Sequence, residues 1–153
     1  MRKRRGIMLK RFLRNEKGLT LIELLAVVVI LGIIAAIAVP SIGGLINKTK
    51  DDALKADAVQ VLNAAKLYVT TNTRVVDEEI NKSTDDPKSY TITNELLDGY
   101  LDNKPESYSV TVYKEDGKYK YKEISVTKNG KIARFDTEDD VLNGTGTIED
   151  ATE

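Results

Sequence analysis

A single carboxylate, Glu23, stands inside an apolar stretch in which no other residue from Leu19 to Asn47 carries a charge. At the centre of a membrane such a group costs about 2.5–3.5 kcal/mol or more, and less near the interface, where the side chain reaches toward water. Read in isolation, Glu23 is equally well an incidental interfacial acid. Two further groups have chemical potential. Asp136, Glu138, Asp139 and Asp140 can offer oxygen ligands to Ca²⁺, but the spacing of a calcium loop with its central Gly is missing. A solvated acidic tail is the stronger reading, and no metal is expected. Lys114, Lys118, Lys120, Lys122, Lys128 and Lys131, with Tyr113, Tyr119 and Tyr121 among them, make a basic, aromatic hairpin of a kind that suits single-stranded DNA. Glu115, Asp116 and Glu123 are interleaved, and edge lysines also deter aggregation, so a solvated sheet face is favoured over DNA binding.

The chain has no His and no Cys. This removes the usual general base, the commonest transition-metal ligand, the thiolate metal site and the disulfide. The remaining Ser, Tyr, Lys and carboxylates cluster at no catalytic spacing, so neither an enzyme nor a cofactor is expected. Asn81-Lys82-Ser83 and Asn143-Gly144-Thr145 fit the short glycosylation acceptor pattern, which is often fortuitous.

The elements that must position these groups fall into four regions. Residues 1–18 hold eight Lys or Arg against one acid, Glu16, a net charge of +7, and the rest of the chain is acidic at −8. A basic head before an apolar run marks the end that stays in the cytoplasm. Met8, inside this region, is a second candidate start. Residues 19–47 contain an unbroken run of Leu, Ile, Val and Ala from Leu24 to Val39, interrupted only by Gly32, and Leu24–Gly44 has the ~20 residues that cross a bilayer. That is too long for an ordinary cleaved secretory signal.

Residues 48–135 read as a globular head. Leu54, Ala58, Val61, Leu62, Ala65, Tyr68 and Val69 recur at helical spacing, with Lys50, Asp51, Asp52, Lys55, Asp57 and Lys66 between them, as on an amphipathic helix. If Leu19–Thr73 is one helix it is roughly 80 Å long at 1.5 Å per residue. Gly32 and Pro40 are its weak points, and a kink or local melting is expected near Leu31–Pro40. Arg74–Ser89 reads as a loop, followed by a short helix ended by Gly99. Three strands come next: Tyr108–Lys114, Tyr119–Thr127 and Lys131–Phe135, joined by Asp116-Gly117 and Asn129-Gly130, both strong hairpin-turn signals. Strict alternation puts Ile124 and Val126 on one face and Tyr119 and Tyr121 on the other. The fold class is therefore α+β, a long N-terminal helix packed on a small antiparallel sheet. Residues 136–153, with seven acids and no base, either wrap the sheet or stay disordered.

The segment Lys17-Gly18-Leu19-Thr20-Leu21-Ile22-Glu23-Leu24-Leu25, followed by the long apolar helix and Pro40, resembles the leader and first helix of type IV prepilins and pseudopilins. The match is close over Arg14–Ile42, and beyond it only the layout is similar. The resemblance implies that a prepilin peptidase cuts between Gly18 and Leu19 and methylates the new Leu19 terminus. It implies that Glu23 pairs with the terminal amine of a neighbouring subunit during assembly, and that Pro40 kinks the helix. It also implies an assembly ATPase, a platform membrane protein and possible minor pilins as partners. Some secretion pseudopilins bind calcium near their C-terminal end, which raises the acidic cluster by analogy. Two features depart from the common pattern: Leu19 stands where Phe is usual, and the C-terminal cysteine pair of many pilins is absent.

The physics agrees. A cationic amine at a helix N-terminus opposes the helix dipole, whereas a carboxylate one turn on is favoured. An unpaired charge in a low-dielectric core is costly, so pairing selects an axial register. The leading expectation is the homo-oligomeric subunit of a surface filament for adhesion, motility or biofilm formation, made as a single-pass precursor in the cytoplasmic membrane. The alternative is a pseudopilin of a type II secretion or competence DNA-uptake system.

Overall fold

The computed structural model describes residues 16–151, with side chains from Thr20 onward. Most of the basic leader, residues 1–15, lies outside the described residues. The chain divides into two compact units, Met1–Asn47 and Lys48–Glu153.

Helix α1 runs Glu16–Thr71 with Pro40 inside it. In the first unit its large apolar residues, from Leu21 to Ile46, are each at least half exposed. Apolar residues exposed all round a helix require a partner that is itself apolar. The helix is assigned without a break through Gly32 and Pro40, so the local melting expected there is not adopted.

In the second unit two tight turns set the sheet. Asp116 and Gly117 have φ of 49° and 75°, and Asn129 and Gly130 have 54° and 73°. Positive φ at both central positions is the type I′ geometry whose twist matches antiparallel strands. These turns join β2 (Ser107–Glu115) to β3 (Lys118–Lys128) and β3 to β4 (Lys131–Thr137). The expected meander is present, but the sheet has five strands rather than three. β1 (Ser89–Thr93) and β5 (Thr147–Asp150) extend it to the antiparallel order β1-β2-β3-β4-β5.

The expected stripe on α1 forms the core: Leu54, Ala58, Val61, Leu62, Ala65, Tyr68 and Val69 are all buried against Ile92, Val110, Val112, Ile124, Val126 and Phe135. Two readings need correction, and one left open is decided. Arg74–Ser89 is not a long loop, because α2 (Thr73–Lys82) buries Val76 and Ile80, one turn apart, in that core. Of the two courses left open for the tail, its described residues take the first and extend the sheet through β5. Its short helix α4 (Glu138–Asn143), which follows α3 (Asn94–Leu97), opens on a capping box between Thr137 and Asp140, and Gly144 closes it in the left-handed region at φ 66°. Gly146 then passes so close to β4 that a Cβ would lie 2.3 Å from the Phe135 ring.

The second correction concerns the faces of β3. Ser109 pairs with Ser125, yet Thr111 pairs with Lys122, so β3 carries one extra residue, and Glu123 sits there at φ 51°. This bulge shifts the alternation by one. Tyr121 is therefore buried on the same side as Ile124 and Val126, with Tyr119 packed at the margin, instead of facing away from them.

Candidate functional site

In the first unit, Gly18 and Leu19 fall in the opening turns of α1, and the Leu19 side chain lies outside the described residues. Glu23 is exposed, as are its apolar neighbours Ile22 (64%) and Leu24 (65%). A carboxylate on an otherwise apolar helical surface is available to a cation brought by another molecule, and its burial is favourable only when so paired. Gly32 has nothing within 4 Å of where a Cβ would stand, so no contact inside the chain demands glycine there. The helix is long and apolar enough to cross a membrane.

The second unit explains most of the charged residues as structural. Asp57, read from the sequence as part of a wet flank, is buried and accepts from Lys128 Nζ at 2.7 Å. Asp51 accepts from Lys131 Nζ at 2.6 Å. Lys66 donates to Glu138, tying α1 to the tail helix. Lys114 donates to Asp77 of α2 at 2.8 Å, and the Tyr119 hydroxyl donates to the same carboxylate at 2.7 Å. The Lys114 hydrogen bond, then that of Tyr119, holds the Asp77 carboxyl below its ordinary range.

The basic hairpin is thereby dismantled as one patch. Lys114, Lys128 and Lys131 are engaged with acids of α2 and α1, and Lys122 lies 5.8 Å from the Tyr113 ring centre and 3.6 Å from Glu123. Lys118 and Lys120 remain exposed beside Glu115 and Asp116. No continuous cationic track with free rings is left to follow a phosphate backbone.

Two acids of the acidic cluster are likewise engaged. Asp140 accepts from the Thr137 backbone at 3.0 Å, from the Thr137 hydroxyl at 2.7 Å and from the Thr145 hydroxyl at 2.9 Å. The side-chain bonds from Thr137 and then Thr145 hold its carboxyl below the usual value. Glu138 faces Lys66, and among the described residues no three acids converge as metal ligands would. Asp136 and Asp139 complete no such set among the described residues. The sequence signal for these roles was Thr137-x-x-Asp140 before an apolar residue, which is a capping pattern.

A family model described as the prokaryotic N-terminal methylation motif matches residues 13–39. Most of the chain is similar to type II secretion system core protein G from several bacteria. The Aeromonas hydrophila protein is 32% identical over 140 residues, covering 85% of this chain and 93% of its own length. The Dickeya chrysanthemi protein is 31% identical over 138 residues, covering 85% and 87%. The Pectobacterium carotovorum protein is 31% identical over 137 residues, covering 84% and 85%. No solved structure matches significantly.

Proposed function

Because this chain belongs to the type IV prepilin and pseudopilin family, with relatives named type II secretion system core protein G, we propose that it is the pseudopilin subunit of a short filament serving protein export. The observation that carries this reading is similarity to those relatives over 85% of this chain and 93% and 87% of theirs, which takes in most of the head. It replaces the long surface filament as the leading reading, which the relatives support only at the level of the family. The competence alternative gains nothing from the head, whose lysines are largely bound to its own acids.

The steps are as follows. The precursor spans the cytoplasmic membrane through α1, with its +7 leader inside. A prepilin peptidase cuts between Gly18 and Leu19 and methylates the Leu19 amine, which stays cationic. The subunit leaves the bilayer when an assembly ATPase and a platform membrane protein transfer α1 to the base of the filament. Burial of its apolar surface among other copies offsets the loss of lipid contact. Glu23 meets the Leu19 amine of a neighbour, and an unpaired carboxylate penalises every other register. Gly32 and Pro40 let the helix bend as it packs.

Deletion of the gene, with complementation, tests the proposal. Loss of exported proteins from the medium with no loss of surface fibres is the expected result. Normal export with loss of long fibres would return the surface-filament reading.

A further inference from the structure

β4 leaves β3 early. Its last pairing is Thr137 with Lys122, after which the chain turns into α4, so residues 118–121 of β3 have no strand on that side. At this open corner lies a cavity of about 390 Å³. Successive side chains of a strand face opposite sides of its sheet. Because the cavity wraps the sheet edge, the consecutive residues Lys120, Tyr121 and Lys122 all line it, together with Tyr113, Glu115 and Asp139. Glu138 also lines it but is held by Lys66. Glu115, Lys120 and Asp139 are exposed, and their charged groups have no hydrogen-bond or ion-pair partner among the described residues. Lys122 is 3.6 Å from Glu123, which does not line the cavity. Beyond the cavity the outward sheet face carries hydroxyls and no charge. Tyr113 is preceded on that face of β2 by Thr111, Ser109 and Ser107, and Ser125 and Thr127 stand opposite on β3. Thr91 of β1 widens the row, its hydroxyl 3.1 Å from that of Thr111, and the Ser109 and Ser125 hydroxyls are 2.8 Å apart. Arg134 and Glu149 pair beyond this lane, on β4 and β5.

We propose that this cavity and the hydroxyl-lined lane leading from it bind an uncharged polysaccharide chain. Lys120 and Lys122 balance Glu115 and Asp139, so the lining selects no net charge. A sugar hydroxyl accepts from an ammonium and donates to a carboxylate, so one uncharged ligand satisfies both signs. Charged polymers are disfavoured from either direction. Residues 48–153 hold 22 acids against 15 bases, which repels a polyanion, and the two lysines of the cavity repel a polycation. A peptide strand pairing with the open edge of β3 would need the place beside it that α4 takes. The half-buried Tyr113 ring offers an apolar surface to the C–H face of a sugar ring. The lane from Tyr113 to Ser107 is about 20 Å long at ~3.3 Å per residue, which suits a chain of sugars and not a single one. The proposal goes beyond the export reading and does not depend on it.

Isothermal titration calorimetry on the full chain, in a detergent without a sugar headgroup, tests it with β-1,4-linked hexamers of glucose and of N-acetylglucosamine. Saturable binding of at least one hexamer is expected, with the dimer of the same sugar weaker. Lys120→Ala and Asp139→Asn should each weaken the hexamer about five- to tenfold, the loss of one hydrogen bond, with the unfolding midpoint unchanged. Ser107→Lys, at the far end of the lane, should weaken the hexamer and leave the dimer unchanged. Binding of neither hexamer would overturn the proposal. Undiminished binding in Lys120→Ala and Asp139→Asn would place the sugar elsewhere and overturn the site. Undiminished hexamer binding in Ser107→Lys would overturn the lane. Tighter binding of hexagalacturonate or of a poly-thymidine strand than of either neutral hexamer would overturn the uncharged class, the second of these in favour of nucleic acid.

Discussion

At the scale of single residues, burial has turned several side chains away from their usual behaviour. Tyr121 was expected on the outer face, but the bulge at Glu123 delivers it to the core. Desolvation, then the charges of Glu138 and Tyr119, raise its hydroxyl from 10.0 to about 12. A group with a raised folded value binds its proton more tightly in the folded state. Its contribution is complete below pH 10 and is lost as pH rises from there through about 12. Unfolding midpoints of the wild type should therefore fall across that interval. Tyr121→Phe should flatten this part of the profile, and an unchanged alkaline slope in that variant would argue that Tyr121 ionises freely. Gly146 makes a comparable point about shape. Gly146→Ala should destabilise the head by about 1–3 kcal/mol, because the new methyl meets the Phe135 ring and the Arg134 carbonyl. Denaturant titration measures it.

At the scale of elements, what the sequence announced and what it hid have physical reasons. The α1 stripe was legible because seven apolar residues keep helical spacing over four turns. The β2–β3–β4 meander was legible because Asp-Gly and Asn-Gly permit few other turns. α2 was hidden because only Val76 and Ile80 mark its inner face among acids and asparagine. β1 and β5 are short and take their apolar surface from a single inward residue each, Ile92 or Ile148, besides Tyr90. The bulge was unreadable because the residue with positive φ is a glutamate and not a glycine. The ion pairs between α1 and the sheet were equally invisible, since a charge on an amphipathic helix reads as solvated until the opposing strand is known.

Those pairs carry an asymmetric prediction. The Asp57 side chain is 6% exposed, whereas that of Lys128 is 24% exposed. Lys128→Met strands a buried carboxylate and should cost about 3–5 kcal/mol. Asp57→Ala leaves an ammonium on a flexible stem that can swing to water, so its cost should stay nearer ~1 kcal/mol. Equal losses in the two variants, measured by denaturant titration, would mean that both charges reach water equally in their absence.

At the scale of the whole molecule, the proposed assembly uses the leader and Glu23 at different stages, so their failures should look different. Gly18 sits at the proposed cut. Gly18→Arg places a bulky cation where the peptidase must close on the backbone. The uncut leader then keeps its +7 charge, raised to +8 by the new arginine, on the cytoplasmic side, where withdrawal through an apolar core is opposed by the desolvation of every cation. The expected product is full-length protein in the membrane fraction, with no methylated Leu19 and no export. Glu23→Val instead removes a charge from an apolar segment, which makes the precursor more comfortable in lipid. Cleavage and methylation should proceed, and mass spectrometry should find chains beginning at methylated Leu19. Assembly should fail, because the Leu19 amine then enters the filament core without a partner, and the cost of that unpaired charge rises with its burial. A Glu23→Val chain that is cut, methylated and assembled normally would show that the amine finds its partner elsewhere. The pairing would then have to be replaced by an acid of the head or by water in the core. Restoration of assembly by Glu23→Asp, which keeps the charge on a shorter stem, separates a requirement for charge from a requirement for reach.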